Sequence, residues 1–155
     1  MNPDLLEFIK RWEGLKLKSS GDPVVGTSGG VYKVYDVGYG HVIPSSSHPL
    51  TITRGEADLL LLGDVVMIAG EVDDMVTVPV LPHERDSLLT LGYNIGVNAL
   101  RRSTLLEKLN SQDYEGAATE FRKWNKAGGK MVMGLIKRRK AEEEMFRWGA
   151  YDGSP

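Results

Sequence analysis

The chain has no cysteine, few histidines and no long hydrophobic run, and each shortage excludes a class of protein. With no cysteine among 155 residues, a disulfide framework and thiolate chemistry are excluded. The three histidines are not spaced as metal ligands, so we predict no metal site and no cofactor. The most apolar segment, residues 57–70, contains Asp64 and is too short to span a bilayer. We therefore predict no stable membrane insertion.

Net charge is also small, at −2, but the charge is unevenly distributed. Residues 122–147 contain nine basic and three acidic residues. This surplus is consistent either with an anionic partner or with a solvated helix face. No nucleic-acid-binding motif accompanies it, so we predict no nucleic-acid partner. The first twelve residues carry charges throughout and lack the apolar core of a signal peptide, which predicts synthesis and folding in a cytoplasm.

The order of local patterns predicts an α+β protein. A helix over the first twelve residues ends near Gly14, "LKLK" at 15–18 alternates as a strand does, and "VYKVYDVGYG" reads as the returning strand. We predict a β-hairpin with its loop near residues 26–30. Thr53 and Glu56 form a capping-box pattern that begins a helix to about Gly70. Helical patterns, broken by "AGGK", fill the rest, so we predict a small N-terminal lobe with a hairpin and a larger all-helical C-terminal lobe, with a cleft between them.

Two carboxylates near the N-terminus suggest acid–base chemistry. Glu13 ends the first helix beside Trp12, where partial burial would favour the neutral form that a general acid needs. Asp22 follows nine residues later in the polar segment "GDPVVG", where a hydrated carboxylate would stay ionised. Two carboxyl groups in such different environments are typical of glycoside hydrolysis. A turn residue is the competing interpretation of Asp22.

The motifs "EGLKLK", "GDPVVG" and "VGYGH" resemble the N-terminal lobe of the phage T4-type lysozymes, glycoside hydrolase family 24. The resemblance continues through "LTITRGEADLLL", "LGYNIG", "STLLEKLN", "FRKWNKAGGK" and "GLIKRRKAEEEMF", in order and over nearly the whole chain. It implies a single lysozyme-like domain over residues 1–155, with an N-lobe over about 13–60. The C-lobe would cover about 75–155 together with the N-terminal helix.

This resemblance implies a muramidase that cleaves the β-1,4 bond between N-acetylmuramic acid and N-acetylglucosamine. Such endolysins are held in the host cytoplasm until lysis and then act on the periplasmic cell wall. The implied partner is the peptidoglycan glycan strand, and we expect a monomer. The competing hypothesis is a non-catalytic peptidoglycan-binding or tail-associated module of the same shape.

One position departs from the family pattern. Asp36 stands where the family has a threonine that helps to hold the hydrolytic water, and the segment between Asp22 and Asp36 is longer than usual. Three alternatives follow: Asp22 keeps its role and Asp36 assists, Asp36 becomes the base or nucleophile, or Thr27 supplies the hydroxyl. We favour Glu13 and Asp22 with Asp36 as a third catalytic residue. The family usually inverts, but an aspartate at this position leaves the stereochemistry open.

Three further residues are predicted to bind substrate. Asn94 in "YNIG" would offer its amide to N-acetyl groups, although an ordinary helix end is equally consistent with it. Tyr39 lies in the glycine turn, and Arg138 occupies the position of a family arginine near the catalytic glutamate. Its alternative interpretation is one more cation on a basic helix face. We expect His41 to be a structural hydrogen-bonding residue and not a proton carrier.

Overall fold

The structure is a computed structural model that describes residues 2–25 and 31–153. Its helices are α1 (Pro3–Glu13), α2 (Arg54–Met75), α3 (Pro82–Ile95), α4 (Val97–Arg101), α5 (Thr104–Asn110), α6 (Tyr114–Glu120) and α7 (Met133–Trp148). Its strands are β1 (Lys16–Val25), β2 (Val31–Gly38), β3 (His41–Ile43), β4 (Lys126–Ala127) and β5 (Lys130–Met131). Short 3₁₀ segments lie at Ser45–Ser47 and Phe121–Lys123. No helix in the described ranges combines the length and the apolar character needed to cross a membrane.

Tertiary contacts divide the chain into two compact units. One unit runs from Glu13 to Asp64, and the other combines the preceding residues with those from Val65 onwards. The boundary falls inside α2. The described residues form both helices and a small antiparallel sheet, so the predicted α+β class is confirmed. That the two units act as one domain with a cleft between them stays a prediction.

The unit from Glu13 to Asp64 contains an antiparallel sheet in the order β1–β2–β3. The predicted hairpin is confirmed for β1 and β2, and its loop over residues 26–30 lies outside the described residues. β1 is much longer than the strand predicted at 15–18, because "GDP" was interpreted as the beginning of the turn. Pro23 is tolerated inside this strand, opposite Lys33, because β1 lies at the edge of the sheet. β3 was not predicted.

The other unit is built almost entirely from helices. α3 packs against α7, and α5 packs against α6. Buried aromatic side chains join these pairs, and the rings of Phe121 and Phe146 lie 5.5 Å apart. The prediction of an all-helical C-terminal lobe was wrong in one respect. The "AGGK" break is the turn of a two-residue β ribbon formed by β4 and β5.

α2 begins and packs as its sequence pattern predicts, but it ends later. The capping box is present: Thr53 Oγ1 accepts a hydrogen bond from the Glu56 amide at 3.2 Å, and Glu56 Oε2 accepts one from the Thr53 amide at 2.7 Å. Its buried residues recur every three or four positions, at Ala57, Leu61, Val65, Ala69 and Val72. This continuous apolar stripe carries the helix through Gly70 to Met75, because packing outweighs the cost of one helical glycine.

Candidate active site

Glu13 is fixed at the junction between α1 and the sheet. α1 is anchored by the fully buried Leu5, Phe8 and Ile9, and it ends at Glu13 because Gly14 adopts φ +69°, the left-handed conformation that favours glycine. The Glu13 side chain is half-buried. A Cβ atom at Gly40 would lie 4.0 Å from Glu13 Oε2, so the carboxylate lies against the turn between β2 and β3.

Asp36 is held in place by a lysine and a serine. Lys16 Nζ donates to both carboxylate oxygens, at 3.0 Å to Oδ1 and 2.9 Å to Oδ2. Ser20 Oγ also donates to Oδ1 at 3.0 Å. The Asp36 side chain is 20% exposed, so these charge-assisted bonds are partly shielded from water. Asp36 therefore belongs to a network of side chains and not to its own turn.

An irregularity in β1 brings Lys16 and Ser20 to the same carboxylate. Lys16 pairs with Gly38 and Ser20 pairs with Asp36, so three intervening residues of β1 face a single residue of β2. This extra segment turns to another partner: the Ser19 amide donates to Leu50 O at 2.8 Å, and Leu17 O accepts from the Ile52 amide at 2.9 Å. A bulge of this kind redirects side chains and is often found beside active sites.

Asp22 lies inside β1 and not at the turn. Because side chains alternate along a strand, Asp22 shares a face of the sheet with Ser20. Its side chain is 71% exposed, and its carboxylate lies 3.8 Å from Lys16 Nζ. Gly21, which lies between Ser20 and Asp22, leaves room for the Tyr35 ring, because a Cβ there would lie 2.6 Å from that ring. The exposed position agrees with the predicted hydrated aspartate.

Lys16 is the functional candidate that the sequence analysis missed. The hydrogen bond to Asp36 is the main cause that raises the pKa of Lys16 above its usual value, and the charge of Asp22 adds to it. The ammonium therefore stays positive at every pH at which the protein would work, between two carboxylates. "LKLK" identified Lys16 only as an alternating strand residue. The bulge that directs it to Asp36 has no signature in the local sequence.

The predicted substrate-binding residues lie in different environments. Asn94 is exposed near the end of α3, and its Oδ1 accepts a hydrogen bond from Arg139 at 3.0 Å. This bond engages the oxygen and leaves the amide nitrogen as the donor for a ligand. Tyr39 is only 3% exposed, so little of its ring surface is accessible to a sugar. The substrate contact of Tyr39 stays a prediction, which this burial does not favour.

Arg138 belongs to a buried charge cluster on α7. Arg138 and Arg139 are 4% and 1% exposed, and both donate to Glu142 Oε1 at 3.0 Å. Glu142 is fully buried. Arg138 is therefore not one more cation on a solvated face. Its predicted contact with Glu13 stays a prediction.

The interpretation of the basic residues over 122–147 as a solvated helix face holds for only part of the segment. Two of its arginines are buried, and several other cations are paired with carboxylates. Arg122 and Arg147 bind Glu143, and Lys123 lies 2.8 Å from Glu120. Many of these cations thus have a carboxylate partner, but among the described partners only Glu120 and Glu115 lie outside the segment, so most of its surplus charge remains.

The remaining candidates are structural or lie beyond the described ranges. His41 Nδ1 lies 2.9 Å from Asp64 Oδ1, which ties β3 to α2. Thr27 falls outside the described residues. Within the ranges that the structure describes, no three His, Asp or Glu side chains are grouped as metal ligands, and the absence of a metal stays a prediction.

Comparison with known proteins gives one consistent family. A family model described as phage lysozyme matches residues 10–142. The endolysin of Bacillus phage B103 is 41% identical over 93% of this chain and 52% of its own length. The endolysin of Acyrthosiphon pisum secondary endosymbiont phage 1 is 37% identical over 91% of this chain and 93% of its own. The SAR-endolysin of Enterobacteria phage P21 is 36% identical over 84% of this chain and 82% of its own length.

The chain thus spans about half the length of the Bacillus phage relatives it matches. Among solved structures, the muramidase domain of SpmX from Asticaccaulis excentricus has a TM-score of 0.79 and 28% identity, over 94% of this chain and 96% of that one. The endolysin from Escherichia coli O157:H7 phage FAHEc1 has a TM-score of 0.76 and 29% identity, over 97% of this chain and 94% of that one. Both likenesses extend over both units of the chain.

Proposed function

Because the chain belongs to the phage lysozyme family, we propose that it is a muramidase of the endolysin type. It hydrolyses the β-1,4 bond between N-acetylmuramic acid and N-acetylglucosamine in peptidoglycan. The observation that carries the proposal is the carboxylate of Glu13 at the β2–β3 turn, in the same compact unit as the network of Lys16, Asp22 and Asp36. One half-buried carboxyl group beside hydrated or ion-paired ones is the arrangement that glycoside hydrolysis requires.

Glu13 is the general acid in this proposal. It protonates the leaving glycosidic oxygen while positive charge develops on the muramic acid ring. Its half-buried position in the same compact unit as Asp22 and Asp36 supports this role, because glycoside hydrolysis pairs an acid with a second carboxylate.

Asp36 is assigned to the attacking water, and Asp22 to the developing positive charge. The ammonium of Lys16 binds both oxygens of Asp36, which makes direct attack by that carboxylate on the anomeric carbon less favourable. A carboxylate fixed in this way still has lone pairs that can orient a water molecule, as the family threonine would. As the water bonds to the anomeric carbon and the glycosidic bond breaks, the proton that the water loses passes to the carboxylate pair of Asp22 and Asp36. This single displacement gives inversion, and Asn94 would hold an N-acetyl group through its amide nitrogen.

The biological setting follows from the same proposal. The partner is the glycan strand of the bacterial cell wall, and the enzyme works as a monomer without a nucleic-acid partner, a metal or another cofactor. It is made in the host cytoplasm and reaches the periplasmic wall at lysis. The similarity to SAR-endolysins, with 36% identity for the phage P21 protein, makes a secreted route the alternative to be tested.

A non-catalytic wall-binding module remains the second candidate. The observation in its favour is the replacement of the family threonine by Asp36, whose two oxygens both bind Lys16. Retention of Glu13 and Asp22 at the family spacing favours the enzyme.

Clearing of chloroform-permeabilised Gram-negative cells separates the two functions. Wild-type protein should clear the suspension. Glu13→Gln should reduce the rate at least a hundredfold, because an amide cannot donate the acid proton, while its thermal unfolding and its binding to sedimented walls are retained. Absence of clearing by wild-type protein that does bind walls would favour the binding module. Wild-type clearing by Glu13→Gln would exclude Glu13 as the acid.

A further inference from the structure

The positive charge of the C-terminal part is concentrated in three lysines. Residues 121–140 contain eight basic residues and no acidic one. Five of the eight pair with carboxylates outside this segment: Arg122 with Glu143, Lys123 with Glu120, Arg138 and Arg139 with Glu142, and Lys140 with Glu144. For Lys126, Lys130 and Lys137, no carboxylate partner is present in the part of the chain that the structure describes. These three cations are available to an external anion.

Large apolar side chains are exposed among the same three lysines. Every residue from 126 to 134 is exposed. The exposed fractions are 68% for Met131, 67% for Met133, 38% for Val132 and 36% for Ile136. Exposed apolar residues occur singly on most surfaces, but four within six positions form a patch that indicates an interaction site.

The β ribbon presents this patch in a fixed shape. Gly128 and Gly129 adopt φ +55° and +77°, as a two-residue hairpin turn requires. Lys126 pairs with Met131 across the ribbon. The Val132 amide donates to Asn125 O at 3.0 Å, which closes the base of the ribbon before α7 begins. Lys126 and Met131 therefore share one face of a preorganised ribbon, and Lys130 lies on its other face.

We propose that residues 126–137, the Lys–Met ribbon, bind the surface of an anionic lipid bilayer. The lysines would contact lipid phosphates, and the methionine, valine and isoleucine side chains would enter the boundary between headgroups and acyl chains. An anionic wall polymer of sugars and phosphates could pair with the lysines, but it would leave the four apolar side chains in water. An anionic bilayer offers phosphates to the lysines and an apolar layer to the four apolar side chains.

The ribbon shares no residue with the proposed hydrolytic site, so this inference does not depend on the proposed activity. Sedimentation with vesicles of phosphatidylglycerol and phosphatidylethanolamine tests it directly, with phosphatidylcholine vesicles for comparison. We expect binding to the anionic vesicles at low salt and weaker binding as salt screens the charges. Failure of the wild-type protein to sediment with anionic vesicles at low salt would overturn the proposal.

Paired substitutions assign the binding to the ribbon. Lys126→Gln with Lys130→Gln should weaken binding roughly 25-fold, because each lysine near an anionic surface contributes about fivefold. Lys18→Gln with Lys33→Gln changes the net charge equally, on exposed strand residues, and should leave binding nearly unchanged. If the two double variants weakened vesicle binding equally, net charge alone would explain the binding, and the proposal would be overturned.

The methionines distinguish a bilayer from an anionic polymer. Met131→Ser with Met133→Ser keeps every lysine and, because both side chains are exposed, should keep the thermal unfolding temperature. We expect vesicle binding to fall at least tenfold at both low and high salt, while binding to soluble poly(glycerol phosphate) stays the same. Unchanged vesicle binding by this variant would identify the ribbon as a purely electrostatic polymer site and contradict the bilayer assignment.

Discussion

Lys16 binds both carboxylate oxygens of Asp36, with its ammonium nitrogen 3.0 Å from Oδ1 and 2.9 Å from Oδ2. The same nitrogen lies 3.8 Å from Asp22. One cation thus joins the two aspartates that the proposed mechanism uses. The ammonium therefore offsets part of the electrostatic repulsion between the two aspartates.

Substitution of Lys16 should lower the rate of the reaction. Lys16→Met removes the ammonium that holds both oxygens of Asp36, so kcat/KM on purified peptidoglycan should fall roughly tenfold. Lys16→Arg keeps a cation with hydrogen-bond donors and should retain more of the activity, and Lys18→Met, two positions along the same strand, provides a matched control. A kcat/KM of Lys16→Met equal to that of the wild type would show that the ammonium has no part in positioning Asp36.

At position 36, a side chain with a hydroxyl group should support activity, whereas the methyl side chain of alanine should not. Asp36→Thr restores the family residue and should keep measurable activity, because a hydroxyl can still hold the water. Asp36→Ala should lose most of the activity, of the order of a hundredfold, and Asp22→Ala should be comparably severe. Initial rates of wall solubilisation measure all three. Full activity of Asp36→Ala would remove Asp36 from the mechanism and leave Lys16 and Ser20 as purely structural partners.

Glu120 should make stability depend on pH. This buried carboxylate accepts hydrogen bonds from Lys108 at 2.6 Å and Lys123 at 2.8 Å, and the bond from Lys108 is the main cause that lowers its pKa below the usual 4.5. A carboxyl whose pKa is lower in the folded state stabilises the protein above pH 4.5 and loses that contribution as the pH falls through the folded value. The free energy of unfolding should therefore decrease as the pH falls below 4.5.

Glu120→Gln tests this dependence. It should cost about 2 kcal/mol at neutral pH and flatten the decrease in acid. Urea unfolding from pH 3 to 7 measures both effects, and the exposed Glu107→Gln serves as the control. A slope in acid identical to that of the wild type would assign the pH dependence to other carboxylates.

Local patterns predicted the helices and one hairpin, since capping residues and apolar periodicity act over a few positions. The Thr53 capping box is confirmed. The length of β1 was missed, because Gly21 and Pro23 are typical turn residues. In the structure, Pro23 is tolerated because β1 is an edge strand, and Gly21 makes room for the ring of Tyr35. α4 was also missed, because five residues give too short a pattern to detect.

Prediction of the candidate site was limited in the same way, because local patterns do not reveal contacts between distant residues. Glu13 and Asp22 were predicted from their chemistry and Asp36 from the resemblance to the lysozyme pattern, and their catalytic roles stay predictions. Lys16 was not predicted, because its role depends on a bulge that is formed by pairing with Leu50 and Ile52, more than thirty residues away. The burial of Arg138 and Arg139 likewise depends on Glu142, which a basic run in the sequence does not reveal.

Analysis of the reducing ends released from peptidoglycan tests the central claim most directly. Purified walls are digested, reduced with borohydride and hydrolysed, and the amino-sugar alcohols are quantified. The proposed cleavage predicts muramitol as the new product, with at least a hundredfold less from Glu13→Gln. Release of glucosaminitol instead, or no new reducing ends from the wild-type protein, would contradict a muramidase.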